Sequence, residues 1–198
     1  MSRHGESRLK VEYGDVVDIF MRYWTSYGGW REFVVSPFVH LAIFITVLSS
    51  GYWLSSAWYA TALSVLPNLL GFGVSGYAIW IGWGDEKLRN ALISLKEDGK
   101  PSDYERVSAV FAHFGLVQVV ALLSALICSA LDYELSPKSM LAHGLALVSL
   151  SPNWFSYLKP IGAGAGYFLF VYAIVTTFET TLALFRLATW FQKMTEKR

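Results

Sequence analysis

The sequence predicts an all-α polytopic membrane protein: four transmembrane helices preceded by an amphipathic N-terminal helix. Three observations carry that expectation. Only 16% of the 198 residues are charged, against about 25% in a soluble domain. The uncharged runs are long: Phe33 to Gly84 contains 52 consecutive residues without Asp, Glu, Lys or Arg. A helix needs about 20 apolar residues to cross about 30 Å of hydrocarbon, so this run is long enough for two. Finally, the 16 Lys and Arg residues fall in groups of 5, 0, 5, 2 and 4 between the runs.

The grouping sets the topology. Arg3, Arg8, Lys10, Arg22 and Arg31 precede the first run, and no basic residue separates spans one and two. Lys87, Arg89, Lys96, Lys100 and Arg106 lie between spans two and three. Lys138 and Lys159 follow span three, and Arg186, Lys193, Lys197 and Arg198 end the chain. Cytoplasmic loops keep the Lys/Arg excess, so the alternation predicts that both termini are cytoplasmic. The first thirty residues carry charges of both signs and lack an apolar h-region, which predicts no cleaved signal peptide.

The elements follow in order. Residues 1–32 form the cytoplasmic N-terminal segment. Within it Tyr13, Val16, Val17, Phe20, Tyr23, Trp24 and Tyr27 recur at helical spacing, with Glu12, Asp15, Asp18 and Arg22 on the other side. Membrane-surface helices have Lys/Arg-rich polar faces. This one is largely acidic, so its apolar face is expected to dock on protein through Phe20, Tyr23 and Trp24, either on the chain's own hairpin or on a neighbouring subunit, the alternative being a helix lying flat on lipid. Residues 33–84 hold spans one (Val34–Leu54) and two (Ala62–Trp83). Pro37 falls in the first turn of span one, where a missing N–H costs little, and Pro67 is expected to kink or start span two. Residues 85–106 form a cytoplasmic helical hairpin with Leu88 and Leu92 on its apolar face. It is broken at Asp98-Gly99-Lys100-Pro101 and followed by a capping box, Ser102 with Glu105. Span three is 107–131. Residues 132–164 form an outer loop whose apolar middle, 139–150, is expected to be a periplasmic or re-entrant helix. Residues 165–198 carry span four (Ala165–Ala188) and the cytoplasmic tail.

The chain contains little chemistry. Its single cysteine, Cys128, excludes an intrachain disulfide and a thiolate metal site. The net charge of +1 gives no bulk attraction for nucleic acid. Gly71-Phe72-Gly73-Val74-Ser75-Gly76 fits a dinucleotide fingerprint, but that needs a preceding strand. Inside a span, Gly71, Gly73 and Gly76, like Gly162 and Gly166, read as small residues that let helices approach. No catalytic residue, cofactor or metal site is expected.

Glu179 is the costliest residue, about 2.5–3.5 kcal/mol near mid-span on insertion scales, so it should face protein or water. Arg186 follows seven residues later on the same face, about 10 Å along the axis. His113 follows Arg106 by seven, His40 follows Arg31 by nine and Ser75 precedes Asp85 by ten. Equal depth predicts one polar intramembrane layer of Glu179, His113, His40 and Ser75, able to line or gate a polar path or to hydrogen-bond helices together.

Gly73-Val74-Ser75-Gly76 resembles the serine motif of rhomboid intramembrane proteases, and Ala112-His113 and Ala142-His143 resemble their Ala-His element. That resemblance implies a Ser75 nucleophile with a histidine base. Rhomboids, however, have a six-span core whose site opens outward, whereas four spans are expected here, with Ser75 toward the inside and His143 in the outer loop. The stretch from Leu66-Pro67-Asn68 through Gly84-Asp85-Glu86-Lys87-Leu88-Arg89 resembles small bacterial membrane proteins. The plan of the whole chain is similar to membrane effectors of bacterial anti-phage systems. That resemblance implies an inner-membrane homo-oligomer, switched by a cytoplasmic protein partner to permeabilise the bilayer, with no direct nucleic-acid contact. The alternative is a non-conducting scaffold that regulates a soluble partner.

Overall fold

The computed structural model describes residues 3–82, 101–132 and 152–196. Over those residues the chain is helical without strands: α1 (Arg3–Tyr27), α2 (Gly29–Val35), α3 (Pro37–Leu48), α4 (Ser50–Ser55), α5 (Trp58–Gly82), α6 (Asp103–Asp132) and α7 (Pro152–Glu196). Three segments are long and apolar enough to cross a membrane: Trp58–Gly82, Asp103–Leu131 and Lys159–Arg186. The bent pair α2 and α3 passes the same test only when taken together. The 85–106 hairpin with Leu88 and Leu92 lies outside the described residues up to 100, as do His143 and the apolar stretch 139–150.

Local chemistry explains the breaks. α1 ends at Gly28, whose N–H bonds the carbonyls of Trp24 and Thr25, each at 3.2 Å. Gly28 and Gly29 have φ of 109° and 68°, a left-handed conformation that glycine adopts without penalty. The next break is at Ser36. A residue before proline is driven out of the helical region, and Ser36 has φ −58° and ψ 124°. Its hydroxyl accepts from the Phe38 N–H at 3.3 Å, capping α3, and Pro37 takes the first helical position as expected. The resulting bend is 51°.

Three boundaries differ from the sequence reading. The expected continuous span Val34–Leu54 is divided into α2, α3 and α4. Pro67 neither starts nor ends a helix; α5 begins at Trp58 and runs through it. Span four was expected from Ala165, yet α7 starts at Pro152 and carries Pro160 and three glycines within it. At 45 residues α7 is about 68 Å long, so it extends beyond any bilayer. The start of α6 matches its signature: Glu105 Oε2 accepts from the Ser102 N–H at 2.7 Å, and Ser102 Oγ accepts from the Glu105 N–H at 3.2 Å.

α7 is the hub, packing against α3, α4, α5 and α6; α5 also packs on α6, and α1 on α6. Ala42, Ala62, Ala121, Ala125 and Ala173 are fully buried where these helices meet, since small side chains permit close approach. Trp58, Phe170 and Tyr167 form the aromatic part of the core, with Trp58 and Phe170 stacked at 6.3 Å. The glycines divide. A Cβ on Gly73 would fall 1.9 Å from Phe114 Cε1, and one on Gly166 2.8 Å from Trp58 Cη2. Gly76 is at ordinary contact, 3.7 Å from Phe111, whereas Gly71 and Gly162 face open space. Gly71 and Gly162 are therefore not packing glycines within this chain.

Candidate functional site

The buried polar groups gather where the end of α1 meets α6 and α7. His113 is carried by α6, ten residues after its first residue, and is only 4% exposed. Both ring nitrogens are engaged: Nδ1 with the Tyr23 hydroxyl and Nε2 with the Tyr172 hydroxyl, each at 2.6 Å. One tyrosine comes from α1 and the other from α7, so a single imidazole ties three helices. Tyr27 lies one turn beyond Tyr23 on the same face. Its ring stacks on His113 with centroids 4.0 Å apart and planes inclined by 15°. Phe33 meets Tyr172 edge-on at 5.8 Å, and Trp24 meets Trp30 edge-on at 5.0 Å. The last turn of α1 is thus half-buried, whereas Val11, Val16, Val17 and Phe20 are exposed.

A neutral imidazole donates at one nitrogen and accepts at the other. Flanked by two hydroxyls, it is satisfied in either tautomer, with the direction of the three-group chain reversed. The two phenols that α1 contributes stay neutral around it. Burial, and then the negative charge of Glu179, push Tyr27 up to about 12, against the opposing effect of the Tyr172 hydroxyl. Burial raises Tyr23 as well, followed by the neighbouring Tyr27 and Glu179.

Glu179 follows Tyr172 by seven residues, on the same face of α7, and is partly buried beside these tyrosines. A second polar set lies on the same helices. Gln118 is fully buried and donates through Nε2 to the Ala173 carbonyl at 2.7 Å. Thr176 donates to that carbonyl at 2.8 Å, and Thr180 to the Thr176 carbonyl at 2.9 Å. Gln118 Oε1 has no hydrogen-bond partner among the described residues.

Of the expected polar layer, His113 and Glu179 both adjoin the tyrosines, His113 by hydrogen bonds to Tyr23 and Tyr172 and Glu179 by its charge beside Tyr23 and Tyr27, about two turns of α7 from Tyr172. His40, Ser75 and Arg186 do not, and are exposed. Helix rotation is the reason. The buried face of α5 runs through Trp58, Ala62, Leu66 and Gly73; Ser75, two residues past Gly73, is about 200° away. Similarly, Val39, Ala42 and Thr46 define the buried face of α3, and His40 falls off it. Ser75 spends its hydroxyl on the Gly71 carbonyl at 2.8 Å. With His113 held by two tyrosines, the Ser75–His113 pair of a serine protease is not formed. Among the described residues no cluster of His, Cys, Asp or Glu could hold a metal ion.

Tyr172 and Gln118 were not anticipated. Both had a signal: Tyr172 shares the face of Glu179 at a seven-residue interval, and Gln118 is the only side-chain amide in the run 107–131. Chemically, the cluster has no activated nucleophile. It can exchange protons along Tyr23, His113 and Tyr172, and it holds α1 against the spans. Comparison of the chain with protein-family models, curated proteins and solved structures finds no match.

Proposed function

We propose that the chain is a four-span inner-membrane protein with cytoplasmic termini that works as a regulated oligomeric pore or membrane-disrupting effector, with α1 as the regulated element. α2 and α3 together supply the first span, and the 5, 0, 5, 2, 4 grouping of basic residues supplies the orientation. The observation that carries the regulatory part is the Tyr23–His113–Tyr172 chain. It fastens a helix that is not itself a span to the two helices α6 and α7. A device that a cytoplasmic protein partner can release from inside the cell needs that connection.

The interior between the helices is filled with fully buried alanines, Leu66 and Phe114, so conduction requires a path between subunits. Release of α1 would uncover His113, Tyr172 and Glu179, the groups suited to line such a path. The anti-phage resemblance supplies a setting in which a partner triggers permeabilisation. The direct test is leak of dye and ions from vesicles holding the purified chain. Leak that rises when Tyr23→Phe weakens the docking of α1 supports the proposal. Leak absent from wild type and variant alike, at every protein density, overturns it.

A scaffold reading is favoured by one observation: Val11, Val16, Val17, Ile19 and Phe20 of α1 are exposed apolar residues at the cytoplasmic terminus, available to a partner. It predicts partner binding without leak.

A further inference from the structure

At the end of the bundle opposite the His113 cluster lies a cavity of about 480 Å³. Its walls come from the α4–α5 turn (Trp53, Trp58, Tyr59), the end of α6 (Cys128, Leu131) and the first membrane turns of α7 (Lys159, Gly162). That volume is within the about 300–1,000 Å³ range of small-molecule sites. Two features set its chemistry. The walls are mostly aromatic and aliphatic, with Ser55 and Ser56 on the α4–α5 side, and an exposed lysine lines it. The glycine in the wall also matters. A Cβ on Gly162 would meet nothing within 4 Å, although the neighbouring Gly164 and Gly166 abut Trp53 and Trp58. Gly162 therefore keeps space open rather than bringing helices together.

We propose, on the membrane reading above, that this cavity is a binding site for an anionic phospholipid of the outer leaflet, its acyl chain between Trp53, Trp58 and Leu131 and its headgroup on Lys159. Depth supports this occupant. In the proposed topology the cavity is at the outer interface, where Tyr52, Trp53, Trp58 and Tyr59 collect and where Trp and Tyr rings sit among headgroups. Charge supports it too: the ammonium matches a phosphate, the Ser55 and Ser56 hydroxyls match the polar glycerol region, and the aromatic wall matches a tail. A soluble anion would use the lysine and leave the wall empty.

The single cysteine of the chain makes the site readable, because Cys128 lines it. The full chain is reconstituted in phosphatidylcholine vesicles with and without phosphatidylglycerol, and alkylation of Cys128 by a membrane-permeant maleimide is timed. Phosphatidylglycerol slows alkylation of the wild type. Lys159→Gln reduces that protection by about fivefold, the effect of one lysine at an anionic surface. Gly162→Leu, whose Cβ meets no atom within 4 Å, puts a side chain into the cavity and makes alkylation slow in both lipids. Inorganic phosphate added to phosphatidylcholine vesicles protects nothing. Equal rates in the two lipids, protection by phosphate alone, or a Cys128 that no lipid composition leaves reactive overturns the proposal. Carbonate extraction separates the two levels. A chain that stays in the membrane without lipid-dependent protection loses only the lipid site, and a chain that is extracted loses the membrane reading as well.

Discussion

Replacing Tyr23 with Phe removes one oxygen atom and leaves the ring contacts of α1 with Trp24, Tyr27 and Phe20 in place. What is lost is the 2.6 Å bond to His113 Nδ1. That nitrogen belongs to a residue only 4% exposed, so it is left unsatisfied in a buried site, at a cost of about 1–3 kcal/mol. Taking about 2 kcal/mol, the balance between docked and released α1 moves roughly thirtyfold toward release. Hydrogen exchange read by mass spectrometry on peptides covering residues 15–27 reports that balance, and exchange there should quicken by a similar factor. The bond also predicts non-additivity. His113→Phe alone removes the partner of the Tyr23 hydroxyl, and adding Tyr23→Phe to it should then cost little, giving a coupling of about 1–2 kcal/mol in a double-mutant cycle. Unchanged exchange in Tyr23→Phe, or strict additivity of the pair, would refute a hydrogen-bonded docking of α1 on α6.

Four further outcomes are expected. Gly73→Ala forces a methyl toward Phe114, 1.9 Å from Cε1, and should lower stability in detergent by about 1–3 kcal/mol; Gly71→Ala, one turn-face away in open space, should be neutral or slightly stabilising in the same thermal melt. Tyr27 ionises near 12 rather than near its ordinary 10.0; docking stability is therefore complete below pH 10 and is lost as pH rises from there toward 12, seen as a late tyrosinate absorbance step missing from Tyr27→Phe. Glu179→Gln removes a charge that raises Tyr27, so that step should move to lower pH; conductance through Glu179→Gln protein equal to wild type would in turn exclude a lining role for this residue. Gln118→Leu deletes both the donor to Ala173 and the unpaired Oε1, and should change stability by less than about 1 kcal/mol, with Thr176 still serving the carbonyl.

Of the four runs that charge and length marked out, three, those of α5, α6 and α7, are long and apolar enough to span as single helices; the first is divided. The start of α6 was legible to the residue because a capping box is a local pairing of side chain and backbone. Proline and glycine behaviour was less legible. Pro37 worked as a local rule predicts, but the break at Ser36 that it enforces divides a run that composition alone treats as continuous. Pro67 and Pro160 sit inside helices, both on exposed faces, so the local breaker rule does not set the ends of α5 and α7. At the site, basic residues report depth along the membrane normal and carry no information on rotation about a helix axis. The spacing assigned four residues one depth, but His113 meets α7 at Tyr172, seven residues before Glu179, and of the four only His113 and Glu179 turn toward the other helices. Ser75 and His40 face outward, because the small residues that turn α5 and α3 toward the core, Gly73 and Ala42, lie two positions from them. Tyr23 and Tyr27 were visible as an apolar stripe; that their hydroxyls serve a histidine 90 residues away is a long-range fact no periodicity contains.

The proposed function requires that docking of α1 on α6 and α7 control permeability. It is tested most directly by a chain in which cysteines replace Tyr23 and His113 in a Cys128→Ser background, so that one protein is read with α1 released and with α1 tethered. Reconstituted in dye-loaded vesicles, it should leak before a bismaleimide bridges the pair and stop leaking once bridged. Leak that is the same before and after bridging, with the bridge verified by mass spectrometry, would contradict the account.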